Sequence, residues 1–463
     1  MNARNSANSQ GESRGSILHS NQLKGKIRYM LQAGTSTKKI TPPMGVDLTG
    51  YAGRPSPASC VKDDLYAKAL VISNGNQTLC LLSLDLLGLN ASQVGQIRKI
   101  VNDRCGIPAN SIMVACSHTH AGPATIMLRA CGNPDSTYIN WLIETAAQSI
   151  IEASQRLETA ELFWTTAESD LGQYRREYVR KTQNEERLPE ETTIKILIVK
   201  RLLSPSIVVW SYPCHGTVMG QDNVCVSAEW MGIASQTIEE TTGSTAIFLQ
   251  GCDGDINPRE RGGYEVVEYT GRKVGRAIIS ALSNTEKCDG GIASSTISAE
   301  LPLLPPPPED KLYNIYQESH KKLNLEMLKG VSGDKAVVDC IKCDLEWIDA
   351  VRKANQTGEI NKTIEIEIQA FKIGDAFIVG LPGEPFVEIG WQISKGCDRV
   401  ITAGYTNGNI GYMPTAYAYE EGGYEVDWAY RLYGLQMIDL ESERIIVESA
   451  RKALENCGCV FIE

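Results

Sequence analysis

The stretch Ser111-Ile-Met-Val-Ala-Cys-Ser-His-Thr-His-Ala-Gly-Pro123 carries the strongest indication of how this chain folds. Its first half is an apolar, β-branched run typical of a buried strand, and its second half is a polar turn that ends in Gly-Pro. Because ligands collect in the loops beyond strand ends, we expect the functional residues in such turns. The same order recurs at residues 207–216, 246–258, 377–384 and 400–408.

Segments with helical periodicity alternate with these strands. They are residues 138–156, 228–241, 271–282 and 439–456. This alternation predicts an α/β (mixed α+β) fold in which layered, mixed β-sheets are flanked by helices. The 463 residues exceed the roughly 250–300 that one core usually supports, so we expect either two units or one large domain with insertions.

Two further segments differ in composition from the rest of the chain. Residues 1–29 are polar and predict a disordered leader, and 30–463 then form the main domain. After Pro305–Pro308, the charged residues at about 309–358 predict a surface insertion of two amphipathic helices, which would act as a lid.

The bulk composition narrows the choice of partners and compartment. A net charge of −11 disfavours nucleic acids and anionic lipid surfaces, which both require a basic face. Neither a signal peptide nor an apolar run near the roughly 20 residues of a membrane span is found, which predicts a cytoplasmic protein. The 14 cysteines are interpreted as structural thiols, including the pairs Cys340/Cys343 and Cys457/Cys459.

Three of the five histidines follow predicted strands. His118 and His120 are two residues apart and would point to the same side of an extended backbone, so one could bind zinc while the other faces the substrate. His215 follows another strand, whereas His19 and His320 lie in the leader and the insertion. Glu384 is a candidate carboxylate ligand, although spacing alone favours a solvated turn glutamate.

The run from Ser117 to Pro123 resembles the His-Thr-His-Ser-Gly-Pro motif of the neutral/alkaline (non-lysosomal) ceramidases. The resemblance continues in the same order through five further motifs and covers roughly residues 32 to 433. These motifs are Cys214-His215-Gly216, Gly254-Asp255-Ile256-Asn257-Pro258, Leu381-Pro382-Gly383-Glu384, Gly411-Tyr412-Met413-Pro414-Thr415 and Glu421-Gly422-Gly423-Tyr424-Glu425.

The resemblance implies a neutral ceramidase-like catalytic fold and a role for each matching residue. The implied zinc ligands are His118, His215, Glu384 and Tyr412. His120 would assist catalysis as general acid and base, and Tyr424 would stabilise the reacting carbonyl oxygen. Tyr174-Arg175-Arg176 resembles a segment whose arginine lines the site, and we assign that role to Arg175, with Arg176 as the second choice.

Two departures from the family pattern bear on the mechanism and the domain organisation. The serine of the Gly-Asp-Val-Ser-Pro motif is replaced by Asn257, and an amide cannot form an acyl-enzyme. We therefore expect direct attack by a zinc-activated water, with Asn257 positioning water or substrate. The immunoglobulin-like C-terminal domain of the secreted ceramidases is expected to be absent, because the chain ends at Glu463.

The sequence thus predicts a zinc-dependent hydrolase that cleaves an amide bond. Its substrate would be an N-acyl compound, either a ceramide-like lipid (N-acylsphingosine, in sphingolipid metabolism) or a smaller N-acyl amine. Two alternatives stay open. One is an esterase or carbohydrate deacetylase on the same zinc scaffold, and the other is a non-catalytic homologue that binds zinc.

Overall fold

The computed structural model describes residues 31–176, 191–329 and 333–462, so the predicted leader lies outside the described residues. The strands are β1 Gln32–Lys39, β2 Cys60–Val61, β3 Tyr66–Ser73, β4 Thr78–Leu84, β5 Ile112–Cys116, β6 Glu158–Glu168, β7 Gly172–Tyr174, β8 Thr193–Arg201, β9 Ile207–Tyr212, β10 Cys225–Val226, β11 Thr245–Gln250, β12 Ile256–Pro258, β13 Glu286–Cys288, β14 Ile292–Pro302, β15 Thr363–Ile373, β16 Ala376–Gly380, β17 Glu384–Pro385, β18 Val400–Ala403 and β19 Tyr412–Met413. The α-helices are α1 Ala91–Cys105, α2 Ser136–Ser154, α3 Glu229–Thr242, α4 Tyr264–Ala281, α5 Glu309–Leu328, α6 Lys335–Thr357, α7 Val387–Ser394, α8 Ala416–Glu421, α9 Tyr424–Asp427, α10 Tyr430–Tyr433 and α11 Ser442–Asn456, and a 3-10 turn covers Ala109–Ser111.

Two mixed sheets form the centre of the molecule. The larger has nine strands in the order β11-β9-β8-β6-β1-β3-β4-β5, with β13 also paired to β6. Its two end pairs, β11–β9 and β4–β5, are parallel, and the pairs between them are antiparallel. The smaller sheet has the order β14-β15-β16-β18. The predicted fold class is confirmed, and the five strands expected before polar turns are β5, β9, β11, β16 and β18.

Alternation along the strands explains why the two sheets pack face to face. In β4, Leu79 and Leu81 point towards the smaller sheet, whereas Cys80 and Leu82 point towards α1 and α2. Helices α3 and α4 cover the same face of the large sheet at its other end, and α7 and α11 cover the outer face of the smaller sheet. The layers are therefore helices, large sheet, small sheet, helices.

Helices α5 and α6 form a hairpin around a small cluster of their own. Leu312 packs with Trp347, Ile348 and Val351, and this cluster contacts Tyr430 and Leu435. The two helices predicted for the charged region are present at these positions. The hairpin therefore packs against the segment that follows α9.

A disulfide joins Cys60 to Cys225, which the interpretation of the cysteines as structural thiols did not anticipate. The two residues are 165 positions apart, so their spacing carries no signal, but the parallel β2–β10 register places them opposite each other. The other twelve cysteines are free. None of the described helices has the length and apolar character needed to cross a membrane.

Candidate metal centre

The turns that follow the carboxyl ends of β5 and β9 lie next to each other. A parallel bridge joins Thr119 to Gly216, and the ring centroids of His118 and His215 are 4.9 Å apart. His118 has a φ of 58°, a left-handed conformation that non-glycine residues adopt at a cost of about 1–3 kcal/mol. Such strain is concentrated at functional sites, where the surrounding structure holds it in place.

A backbone carbonyl orients each of the three imidazoles. Because a carbonyl only accepts, Nδ1 must carry the proton in each ring, and Nε2 keeps its lone pair. Gly50 allows one of these contacts, since a Cβ at this position would lie 2.5 Å from Nδ1 of His120. The bonds are His118 Nδ1 to Leu87 O at 2.9 Å, His120 Nδ1 to Gly50 O at 3.0 Å and His215 Nδ1 to Asp253 O at 2.7 Å.

The three Nε2 atoms converge on one point together with a carboxylate. His118 Nε2 lies 3.1 Å from His120 Nε2, and Oε2 of Glu384 lies 3.6 Å from His118 Nε2 and 3.7 Å from His215 Nε2. His215 Nε2 is buried without a hydrogen-bond partner. Lone pairs that face each other at this distance repel unless a cation lies between them. The residues present therefore fit a metal ion, and imidazole and carboxylate are ligands that zinc prefers.

The protonation states of these groups suit metal binding. Burial lowers the pKa of His118 to about 3 and lowers that of His120 well below its usual value. Burial would raise the pKa of Glu384, but the nearby His118 and His215 rings and the hydrogen bond from Tyr433 outweigh it and lower that pKa to about 2. The centre therefore combines the neutral imidazoles of His118 and His120 with an ionised carboxylate, as a metal requires.

Tyr412, Arg175 and Tyr424 lie together on one side of this centre. Tyr412 pairs with Glu384 in the β17–β19 register, and a hydrogen bond joins it to Arg175. Arg175 Cζ lies 5.1 Å from the Tyr412 ring and 5.8 Å from the Tyr424 ring. Tyr424 is 46% exposed. Tyr412 thus lies beside an arginine, and its role as a zinc ligand stays a prediction.

The two remaining candidates are Arg176 and Asn257. Both arginines pair with Glu425, but Arg176 also pairs with the buried side chain of Glu421, whereas Arg175 lies over the Tyr412 and Tyr424 rings. Asn257 lies in β12 next to Ile256, whose carbonyl accepts a hydrogen bond from His215 N at 3.1 Å. The catalytic role of Asn257 stays a prediction.

Three residues of the centre were not predicted from the sequence. Tyr405 stacks on His118 with centroids 3.9 Å apart and donates to Asp253 Oδ1 at 2.6 Å. Asp253 Oδ2 lies 3.2 Å from His215 Nδ1. Tyr433 donates a hydrogen bond to Glu384 Oε1. Asp253 and Tyr405 both follow strands, which was the available signal, but nothing in the tyrosine-rich run distinguished Tyr405 and Tyr433 from packing residues.

Comparisons with known proteins agree with this fold. A family model described as neutral/alkaline non-lysosomal ceramidase, N-terminal, matches residues 31–291. Neutral ceramidase of Pseudomonas aeruginosa is 22% identical over 419 residues, covering 76% of this chain, and the chain spans only 62% of the length of that relative. A crystal structure of that neutral ceramidase superposes with a TM-score of 0.69 at 17% identity, covering 94% of this chain and 76% of the other. A ceramidase complexed with C2 superposes with a TM-score of 0.70 at 16% identity, covering 94% of this chain and 77% of the other. The resemblance found in the sequence is confirmed, and the chain belongs to the neutral/alkaline non-lysosomal ceramidase family.

Proposed function

We propose that this protein is a zinc-dependent hydrolase that cleaves the amide bond of an N-acyl lipid. The observation that carries the proposal is the convergence of three imidazole Nε2 atoms and Oε2 of Glu384, with His215 Nε2 buried and unpartnered. Membership of the ceramidase family supports an amide of a fatty acid as the substrate.

We assign His118, His215, Glu384 and Tyr412 as the zinc ligands and His120 as the group that transfers protons. The chemistry that zinc supplies in such a site is activation of water as a nucleophile near neutral pH and polarisation of the carbonyl. Because His120 Nε2 lies 3.1 Å from His118 Nε2, His120 could instead be a ligand. In a His120→Ala variant, unchanged zinc content with lost turnover supports proton transfer, and lost zinc supports ligation.

The chain's own polar groups account for the remaining steps of hydrolysis. Nε2 of His120 is unprotonated at neutral pH, so it can take a proton from the attacking water and return it to the leaving amine. The guanidinium of Arg175 and the hydroxyl of Tyr424 are donors for the oxygen that gains charge. One such donor is worth about 3 kcal/mol of transition-state stabilisation. The Asn257 amide would position the water or the substrate.

Removal of the metal tests the proposal directly. Dialysis against a chelator should abolish hydrolysis of N-acyl substrates, and added zinc should restore it. His118→Ala should lower kcat by about 1,000-fold or more without rescue by zinc, because the site loses one of its buried ligands. His320→Ala, on helix α5, is the matched control and should keep full activity. A metal-free protein that remained fully active would refute the proposal.

The same assay separates the two kinds of acyl bond. Matched N-acyl and O-acyl substrates with the same fatty chain should show a higher kcat/KM for the amide. Faster turnover of O-acyl lipids or acetylated carbohydrates would make the protein an esterase or a deacetylase on the same scaffold. Zinc binding without turnover of any substrate would make it a non-catalytic homologue.

A further inference from the structure

The guanidinium of Arg54 binds the backbone of three separate loops. Its Nη1 donates to Asn223 O, and its Nη2 donates to His120 O and to Thr49 O, the last at 3.2 Å. Arg54 is only 8% exposed. Arginine suits such a junction, because its planar group presents several donors in fixed directions. Arg54 therefore ties together three loops that are far apart in the sequence.

The position of Arg54 is not explained by an ion pair. Within residues 31–176, 191–329 and 333–462, its hydrogen-bond partners are these backbone carbonyls and no carboxylate. Burial lowers the pKa of Arg54 to about 10, and its Nε is buried without a hydrogen-bond partner in the same ranges. A buried charge without a carboxylate partner lowers stability, which favours a role in the site over a role in the fold.

Two of the three carbonyls determine how the His120 imidazole is held. Nδ1 of this ring donates to Gly50 O at 3.0 Å, and Gly50 directly follows Thr49. Nη2 of Arg54 thus binds both the backbone of His120 and the turn that holds its ring. The backbone N–H of His120 also donates to Gly216 O at 3.1 Å, in the turn after β9. Arg54 therefore helps to fix the direction in which Nε2 of His120 points.

Tyr51 supports the same imidazole from another side. Its ring centroid lies 5.1 Å from that of His120, and its hydroxyl donates to Met219 O at 3.1 Å. Arg54 Cζ lies 5.3 Å from the centroid of the Tyr51 ring, which is within the range of a cation–π contact. Arg54 thus contacts the backbone of His120, the turn that binds its ring and the aromatic side chain beside it.

We propose that Arg54 is a positioning residue for proton transfer by His120. It acts through the His120 backbone and the turn at residues 49–50, and it holds Nε2 in the orientation that proton transfer requires. Misplacement of a reacting group by about 1 Å can cost roughly 100-fold in rate, so the loss of these contacts should lower kcat. This inference rests on the proposed hydrolysis.

Arg54→Met removes the donors and keeps an unbranched side chain. It should lower kcat for an N-acyl substrate by about 10- to 100-fold. KM and zinc content should stay unchanged, because proton transfer is slowed while the zinc ligands are kept. An unchanged kcat, or a loss of zinc from the variant, would overturn the inference.

Arg451→Met is the matched control, because it breaks the same kind of contact elsewhere. Arg451 on α11 donates to three backbone carbonyls, those of Gln392, Ile393 and Lys395, at 3.0, 3.3 and 3.0 Å. This variant should keep its kcat. An equal loss of kcat in Arg451→Met and Arg54→Met would overturn the inference, since the effect would then be a general one on the fold.

Two further variants separate positioning from damage to the fold. Arg54 lines a cavity of about 460 Å³, so a small guanidinium ion can reach the space that Arg54→Ala leaves. Added ethylguanidinium should raise the kcat of this variant at least tenfold and should have no effect on His120→Ala. Arg54→Lys keeps the charge without the planar group and should recover only part of the native kcat. A folded Arg54→Ala protein that does not respond to ethylguanidinium would overturn the inference.

Hydrogen–deuterium exchange gives a readout that does not need turnover. The His120 N–H should exchange at least tenfold faster in Arg54→Met than in the native protein, because its residue has lost one of its fixed contacts. Arg451→Met should leave this exchange rate unchanged. Equal exchange in the native protein and Arg54→Met would overturn the inference. If exchange changes as expected but the native protein cleaves no N-acyl substrate, the proposed function fails and Arg54 remains a support of His120.

Discussion

Glu384 shows how a single hydrogen bond can orient a ligand side chain of the candidate centre. Its Oε1 accepts from Tyr433, and its Oε2 faces His118 and His215, with the Tyr405 hydroxyl 3.5 Å away. Since one oxygen is held by a phenol, the other remains directed at the imidazoles. Such outer hydrogen bonds keep a ligand in the orientation that binding requires, so the metal does not have to order it.

Tyr433→Phe should therefore weaken zinc binding roughly tenfold, which is the lower end of the effect of losing an outer hydrogen bond to a ligand. Competition with a chromogenic chelator measures the change in zinc Kd. Tyr419→Phe is the matched control, because its hydroxyl also donates one hydrogen bond, to Ile438 O, but does not contact Glu384. An unchanged Kd in Tyr433→Phe would show that this bond does not position the carboxylate.

At the residue scale, the sequence predicted the side chains that come directly after a strand. His118 and His215 were expected after strands, and the structure brings them together with Glu384. Tyr405 and Tyr433 were not predicted, because their partners come from distant parts of the chain and no local pattern reports a hydrogen bond between them. Arg175 and Arg176 are adjacent and both pair with Glu425, so only the second carboxylate beside Arg176 and the tyrosine rings beside Arg175 distinguish them.

At the element scale, helix α6 controls the segment that carries Tyr433. Asp344 accepts from Trp428 Nε1 at 2.8 Å and from Arg431 at 2.7 Å. The side chain of Arg431 is only 12% exposed, so its charge depends on this carboxylate. The hairpin therefore supports the centre indirectly, through residues 428–435.

Asp344→Ala should destabilise the fold by about 1–3 kcal/mol, because it leaves a largely buried guanidinium without its partner. It should also weaken zinc binding by a smaller factor than Tyr433→Phe, since Tyr433 becomes less well fixed. Urea unfolding and the chelator assay measure the two effects. Asp344→Asn, which keeps an acceptor oxygen, should recover part of both.

The control for this variant lies on the same helix. Asp349→Ala removes an exposed aspartate and should change neither stability nor zinc Kd. Equal effects of Asp344→Ala and Asp349→Ala would contradict the indirect role of the hairpin.

Elements with strong local periodicity were predicted and the others were not. The buried strands β5, β9 and β11 were found from apolar runs alone. Helix α4 was expected from residue 271 but begins at Tyr264, because its first two turns carry exposed Glu265 and Tyr269 and half-buried Glu268 rather than an apolar stripe. The β2–β10 pair is two residues long per strand and depends on tertiary contacts, so its disulfide was not foreseen.

At the scale of the whole molecule, the two packed sheets bury several carboxyl groups, and Glu229 is the clearest case. It is fully buried at the start of α3 and accepts hydrogen bonds from Met219 N at 2.8 Å and Trp230 N at 3.2 Å. Trp230 in turn donates to His215 O at 2.9 Å, so Glu229 lies under the turn that carries His215. Burial raises the pKa of Glu229 to about 7, although these backbone hydrogen bonds oppose the rise.

This raised pKa predicts how global stability depends on pH. Between its ordinary pKa of 4.5 and about 7, the folded carboxyl keeps a proton that the unfolded chain has lost. The free energy of unfolding should therefore fall as pH rises through this window and level off above it. The loss is on the order of 3 kcal/mol, because each pKa unit corresponds to roughly 1.4 kcal/mol.

Glu229→Gln should remove this pH dependence, because an amide does not ionise. The variant loses one acceptor, which lowers its stability by an amount that is the same at every pH. Urea unfolding at about pH 5, 6, 7 and 8 should then show the native protein losing stability relative to Glu229→Gln up to about pH 7 and not beyond. Glu260→Gln, at an exposed position, is the matched control. A constant difference between native protein and Glu229→Gln across this range would show that the buried carboxyl is ionised throughout, and the cost of its charge would then have to be offset by the backbone donors around it.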